Sequence, residues 1–406
     1  MRAIAAQIGH ISQGLLTSPR AGRRILEMLR EAPEGSLDQI IETVDLPKVL
    51  ASMRRTGLHH RPQAVDLLLR ERVDELSLDS IAQVVSAMHR GRTSRHAQEA
   101  IVEVLTRHTG EDFDTLKNFL NSTGDYHDLE HLVFEDLDED LSDRLLEHIA
   151  EEAGDNRGGD IRVLSDIDDT VKCVIHDRRY PRGTIYPGVV SLLTKLDKGA
   201  AEEPGRPGDL TFVTARPGGP RGLIEQYTRG KLSYLGLPPH SVMGGSFLNL
   251  HTKGAIKDRK LENMDRDRLL FPEARMVFIG DSGQADGDVG AEMHRLDPDH
   301  IVGTLLHNVT DLDEAAREAW AQKGVHVFDT YAGAAAHAVR LGLIRVDQAR
   351  EVAEDVRVGL RVLHLTPEQR ERLEHDLAAD VAAIDALDEG AESRGSSESG
   401  GSNGGS

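Results

Sequence analysis

One cysteine and one tryptophan stand among 406 residues, and aromatic side chains make up only 4% of the chain. The lone Cys173 excludes a disulfide framework and any zinc site built from several thiolates, and it suits a reducing compartment. No run approaches the roughly 18 apolar residues of a membrane-spanning helix. The opening MRAIAAQIGHISQGLL has a single early arginine, and polar and His residues interrupt the apolar core that a signal peptide requires. The expectation is a cytoplasmic protein. Positive charge is also scarce: 48 Lys and Arg face 69 Asp and Glu, a formal charge of −21. That balance carries no strong nucleic-acid signal, because sequence-independent binding rests on neutralising phosphates. The 19 histidines include no HExxH and no regular ligand spacing, so no metal site is read from them.

The shortage of positive charge is local. Residues 1–110 carry 15 basic and 13 acidic side chains, whereas 111–155 carry 2 against 16, centred on Glu135-Asp136-Leu137-Asp138-Glu139-Asp140. Such a run reads as a solvated, self-repelling surface at the join between two regions. Before the join the text is helical, with apolar residues at helical spacing such as Val65, Leu68, Leu69 and Val73. Leu37-Asp38-Gln39-Ile40, Leu78-Asp79-Ser80-Ile81 and Phe113-Asp114-Thr115-Leu116 each open a helical stretch followed by a second amphipathic one. Ser36 and Ser77 stand where N-caps belong. Stacked helical hairpins fit this pattern, and so does an irregular helical bundle.

After Asp155–Asp160, which reads as a linker, short apolar runs alternate with helices: Ile161–Leu164, Leu210–Val213, Met276–Ile279, Ile301–Leu306 and Val325–Phe328. Strands of that length with intervening helices imply an α/β domain with a parallel sheet. A helix over Gly222–Thr228 and a strand over Val242–Leu250 are expected between the second and third of these runs. Helix then returns, with Thr366-Pro367-Glu368 as one start. The expected organisation is an all-helical domain over 1–155, a Rossmann-like domain over 156–335, C-terminal helices over 336–389 and a disordered Gly- and Ser-rich tail over 390–406.

The chemistry lies at strand ends, where ligand sites of open α/β sheets form. The first strand runs into Ser165-Asp166-Ile167-Asp168-Asp169-Thr170. One carboxylate there can attack phosphorus, and a second can move the proton of the departing oxygen. A phosphoryl group repels carboxylates, so a divalent cation is required. A second strand end supplies Thr214-Ala215-Arg216-Pro217, and a third supplies Gly280-Asp281-Ser282-Gly283-Gln284-Ala285-Asp286. Between them a Lys-rich turn offers Lys253, Lys257 and Lys260.

DIDDT, VTARP, a lysine and GDSGQAD, in this order, resemble the four motifs of the haloacid dehalogenase superfamily. SDIDDTVK followed by YPGV and FIGDSGQAD is most similar to the actin-patch-protein type of phosphatidate phosphatase domain. The resemblance covers about 161–310. It implies Asp166 as nucleophile, Asp168 as general acid/base and Thr214 as phosphoryl ligand. Lys260 is the first choice for the family's lysine, and Lys257 the second. Arg216 and Lys257 are further candidates for substrate contact. Mg²⁺ would be held by Asp166, Asp281 and the main-chain carbonyl of Asp168, with Asp286 as ligand or orienting group.

The implied activity is Mg²⁺-dependent hydrolysis of a phosphomonoester, first of all a phosphatidate-like lipid at a membrane surface, then nucleic-acid ends or phosphoproteins. A different class, a helical interaction protein with a vestigial or sensory phosphatase domain, is the rival. The N-terminal helices would dock a protein partner or approach the membrane. Those relatives lead one to expect an arginine after Leu306-His307-Asn308, and none follows. Too few residues separate Thr170 from Tyr186-Pro187-Gly188 for an inserted cap domain, which leaves the site open to bulky substrates. In that short flap, Arg178, Arg179 and Arg182 suggest contact with a second phosphate or headgroup, or simply a solubilising loop.

Overall fold

In the computed structural model the described residues are 2–12, 19–54, 60–89, 93–121, 128–154, 161–200, 210–217, 230–245 and 253–398. The chain divides into two compact units, Met1–Gly154 with Leu269–Phe271, and Asp155–Arg268 with Pro272–Ser406.

Among the described residues of 1–154 every regular element is helical: α1 (Arg2–Ser12), α2 (Pro19–Arg30), α3 (Leu37–Thr43), α4 (Leu46–Arg54), α5 (His60–Asp66), α6 (Leu78–Met88), α7 (Arg95–Leu105), α8 (Gly110–Asn121), α9 (Leu129–His131) and α10 (Glu139–Ala153). α5 and α9 each run on into a π-helical turn, Leu67–Glu71 and Leu132–Asp136. Contacts fall into two rows. In one, α1 meets α3 and α4, these meet α6, and α6 meets α8; in the other, α2 meets α5, α5 meets α7, and α7 meets α10. Ser77 caps α6 by accepting from the Ser80 amide. Ser36 does not cap α3: its hydroxyl turns back to donate to the Pro33 carbonyl. The opening expected at Phe113 lies one turn inside α8, which begins at Gly110. The acidic run is exposed at Glu135 and at Asp138–Asp140, where Arg95 bridges Asp138 and Asp140.

The second unit holds β1 (Ile161–Ser165), β2 (Leu210–Pro217), β3 (His240–Gly245), β4 (Arg275–Asp281), β5 (Ile301–His307) and β6 (Val325–Phe328). All neighbours are parallel, in the order β3-β2-β1-β4-β5-β6. This is the Rossmann-like order, in which the chain leaves β1 in one direction and returns on its other side at β4. The helices are α11 (Val189–Lys198), α12 (Lys253–Leu270), α13 (Asp286–Leu296), α14 (Glu314–Ala321), α15 (Tyr331–Arg340), α16 (Val346–Val362) and α17 (Pro367–Glu398). A parallel sheet must be covered on both faces, and the strands are accordingly mostly apolar, with Arg162, Thr211 and Ser241 buried among them. On one face Val163, Phe212 and Val277 pack with Leu192 of α11 and with Val352, Leu373 and Ile384 of α16 and α17. On the other, Leu164, Val213 and Phe278 pack with Met264 of α12 and Val289 and Met293 of α13.

Two expected boundaries change. The helices expected as a separate segment over 336–389 share the sheet's own core, because one face of the sheet needs them as its cover. The expected tail begins later than 390, since α17 continues to Glu398; lengthening a helix needs no new nucleus. Residues 399–406, the linker Asp155–Asp160, the expected helix Gly222–Thr228 and the far end of the expected strand Val242–Leu250 lie outside the described residues.

Candidate active site

At the end of β1 the amide of Asp166 donates to the Ile279 carbonyl at 2.8 Å, so the first motif acid leaves the sheet against β4. β4 ends on Asp281, and Asp286 opens α13. The end of β4 and the turn after it need their glycines. A Cβ on Gly280 would overlap the Asp286 side chain, and one on Gly283 would lie 2.5 Å from the His176 ring.

The three lysines expected in a turn lie instead on α12, which begins at Lys253. Its inward stripe, Lys260, Asn263, Met264 and Asp267, is buried yet mostly polar, so no amphipathic period marks the helix in the sequence. Lys260 is the lysine that reaches the acids. Its ammonium, 1% exposed, donates to Asp166 Oδ1 at 2.7 Å and to Asp286 Oδ1 at 2.5 Å. Lys257 is half-buried, and its charge acts on the carboxyl of Glu292.

Carboxylate oxygens of Asp166, Asp281 and Asp286 all lie within 4.8 Å of one another, and all three residues are buried. Three carboxylates against one ammonium leave two negative charges in a dry site. Burial is the main cause that lifts the Asp166 carboxyl to about 7, against the pull of Lys260 and helped by the charge of Asp286. Burial likewise raises Asp281 well above the usual carboxylate range, and the neighbouring acids add to it. The Lys260 ammonium is held protonated by the two carboxylates despite its burial. Asp166 Oδ2 is buried with no hydrogen-bond partner. Oxygen-only donors and, with all three acids ionised, an excess of two negative charges fit a hard divalent cation such as Mg²⁺.

Asp281 is oriented by the amides of Gly283 and Gln284, at 2.7 and 3.1 Å. The Gln284 side-chain amide donates to Asp281 Oδ2 at 3.0 Å and reaches the Asp168 carbonyl at 3.4 Å. It thereby joins the two groups that the sequence nominated together as metal ligands. Asp168 is half-buried, and its charge adds to the rise at Asp166. Thr214 and Arg216 lie on β2; Ser165 stands opposite Phe212, so both follow towards the same carboxyl edge. Their side chains lie outside the described residues.

No family model matches the chain, and neither a curated protein nor a solved structure gives a significant match. The reading therefore rests on the geometry.

Several residues of the site were not legible beforehand. Asp169 had no assigned role, and it proves to organise the flap. Its backbone is left-handed at φ 58°, a conformation Asp tolerates better than most residues. Its buried carboxylate accepts from the amides of Val174, Ile175 and His176 and from His176 Nδ1 at 2.9 Å. Since a carboxylate only accepts, Nδ1 carries the proton. Asp169, His176 and Asp281 also place ligand atoms within 4.8 Å of one another, but the Asp169 oxygens are already taken by these donors.

Of the three flap arginines, Arg178 and Arg182 are exposed, whereas Arg179 is a buried strut. Arg179 pairs with Asp177, donates to the Asp329 carbonyl at 2.8 Å and stands 3.0 Å from His307 Nε2. His307 Nδ1 lies 3.0 Å from the Asp169 carbonyl and so donates there, leaving Nε2 to accept from Arg179. Burial, with the charge of Arg179 beside it, depresses the imidazole to about 4 and keeps it neutral. A guanidinium thus does stand beside the end of β5, but the flap supplies it. Nothing adjacent in the sequence signals this, since 128 residues separate the pair.

Proposed function

We propose that the chain is a phosphomonoester hydrolase of the haloacid dehalogenase kind, using Mg²⁺. One observation carries the reading. Asp166 is held through Oδ1 by Lys260 among three carboxylates at the sheet's carboxyl edge, while its Oδ2 is buried and unpartnered. A purely structural ion pair would saturate its acceptors; here the oxygen suited to attack phosphorus is left open.

In the supported reaction, Asp166 Oδ2 forms a bond to phosphorus as the ester oxygen departs, leaving an aspartyl phosphate. Asp168 gives its proton to the departing oxygen. The resulting carboxylate then takes a proton from the water that attacks the aspartyl phosphate, releasing inorganic phosphate and restoring both acids. Lys260 favours the ionised nucleophile and fixes its rotamer. Asp166, Asp281, Asp286 and the Asp168 carbonyl would hold Mg²⁺, which when bound supplies positive charge opposite the phosphoryl oxygens. Thr214 and Arg216 are the proposed phosphate contacts. The two-row packing of α1–α10 supports stacked helical hairpins, which we assign to docking.

Hydrolysis of para-nitrophenyl phosphate with Mg²⁺ tests the reading. Asp166→Asn should lower kcat by about 10³-fold or more. Acid-quenched wild type should carry ³²P from labelled substrate, and the variant none. Activity retained in Asp166→Asn overturns the assignment; a wild type inert towards this substrate, phosphatidate vesicles, phosphorylated oligonucleotides and phosphopeptides overturns the function.

A further inference from the structure

Beside the acids lies a cavity of about 470 Å³ that the reaction above does not use. Its walls are the flap at His176–Arg179, the loop Val309–Asp311 and the first two turns of α17. Two walls are anchored to the acid cluster. His176 lines the cavity and is bonded to Asp169. Thr310 on the opposite side is tied to Ser282, the residue after Asp281: the two hydroxyls lie 2.8 Å apart, and Ser282 Oγ accepts from the Thr310 amide at 3.2 Å. The third wall is pinned to the first, because Gln369 of α17 donates to the Arg178 carbonyl at 2.9 Å.

The volume falls within the range of small-molecule sites, roughly 300–1,000 Å³, and exceeds what one phosphate needs. The lining is unsuited to acyl chains, since Val309 is its one aliphatic residue among the described residues. Its charges are unequally committed. Asp177 and Arg179 neutralise each other within the wall. Glu368 is engaged by the Thr366 hydroxyl and its own backbone. Arg372 pairs with Asp311 but stays 44% exposed. The Arg178 guanidinium makes no hydrogen bond or ion pair with any described residue. Guanidiniums and carboxylates are equal in number along the wall, and Arg178 is the guanidinium that no described carboxylate engages; its planar fork suits phosphate.

We propose that this cavity receives the substrate's leaving group, and that Arg178 with Arg372 selects leaving groups bearing a second phosphate. The inference rests on the phosphatase reading and narrows its substrate class: a bisphosphorylated polar molecule in place of phosphatidate, whose leaving group is a diacylglycerol.

The test compares kcat/KM for fructose 1,6-bisphosphate and para-nitrophenyl phosphate. Arg178→Ala should lower the ratio of the first to the second by about tenfold to a hundredfold, the loss of one charge-assisted contact. Arg182→Ala removes the same charge from the same flap outside the cavity and should leave the ratio unchanged. An unchanged ratio in Arg178→Ala, an equal fall in Arg182→Ala, or a preference of the wild type for phosphatidate vesicles overturns the proposal. Calorimetric titration of Asp166→Asn with fructose 1,6-bisphosphate and Mg²⁺, with and without Arg178→Ala, separates the two readings. Arg178-dependent binding, with a wild type inert towards this and every substrate named above, sinks the phosphatase and keeps the anion site. Turnover by wild type with Arg178-independent binding does the reverse.

Discussion

The two ends of β1 carry the same kind of interaction put to opposite uses. At its start Arg162 donates from Nε and Nη2 to the two oxygens of Asp267, each at 2.8 Å, and from Nη2 to Thr211 Oγ1 at 3.0 Å. Just past its end Asp166 meets Lys260. Both cations and both carboxylates are buried, and α12 supplies one partner to each pair. Lys260 and Asp267 lie two turns apart on one face of α12, about 10 Å along its axis. Asp166 and Arg162 are about 13 Å apart along an extended strand. Strand and helix are therefore clamped at two points. At Arg162 the fork fills both carboxylate oxygens; at Lys260 a point charge is shared between two acids and one oxygen stays open. An unfilled acceptor set among three clustered carboxylates distinguishes the proposed site from a strut.

Breaking the clamps should separate those roles. Arg162→Met leaves Asp267 buried without its cation and should cost about 3–5 kcal/mol in urea unfolding, most of it regained in Arg162→Met/Asp267→Leu. Lys260→Met should cost less stability, since the Asp166 carboxyl, already lifted to about 7 by burial, can take up a proton when the ammonium is lost, while kcat/KM falls about 10³-fold. Equal stability losses in the two variants would erase the distinction.

Mg²⁺ sharpens it further. At a hundred times its Kd the ion should raise wild-type unfolding free energy by about 2.7 kcal/mol, measured as a concentration-dependent Tm. The increment should persist in Arg162→Met and disappear in Asp281→Asn; its persistence there would displace the metal from the acid cluster.

Asp380 offers an intermediate case, a carboxylate that takes the Thr330 hydroxyl at 2.7 Å and whose carboxyl burial lifts from 3.8 to about 6. The folded state then binds the proton more tightly than the unfolded one between those values. Stability falls as pH rises through that window and stays reduced above it. Asp380→Asn should remove the loss, raising stability at pH 7 by about 1–3 kcal/mol, with no difference below about pH 4. A variant less stable than wild type at pH 7 would make Asp380 a strut like Asp267.

What the chain disclosed in advance follows from where apolar period and motif coincide. The α/β alternation and all six strands were legible, β3 beginning two residues earlier than expected, because parallel strands are mostly apolar on both faces. Asp166, Asp281 and Asp286 stood out because their spacing falls at strand ends. α12 did not, because the residues that bury it are Lys260, Asn263 and Asp267, which read as surface. Arg179, His307 and Asp169 escaped for another reason: their meaning lies in contacts spanning up to 150 residues, with no local signature. The C-terminal helices were seen as helices, but their place in the sheet's core depends on which face was left uncovered.

The clamp also orders events during synthesis. Asp166 leaves the ribosome 94 residues ahead of Lys260, and Arg162 emerges 105 ahead of Asp267. At translation rates of about 5–20 residues per second, β1 waits roughly 5–20 s for its counter-charges. During that interval its charged ends cannot be buried without penalty, so the central strand of the sheet has to remain hydrated. The acid cluster at the end of β1 thus closes only after α12, the helix that completes it, has been made.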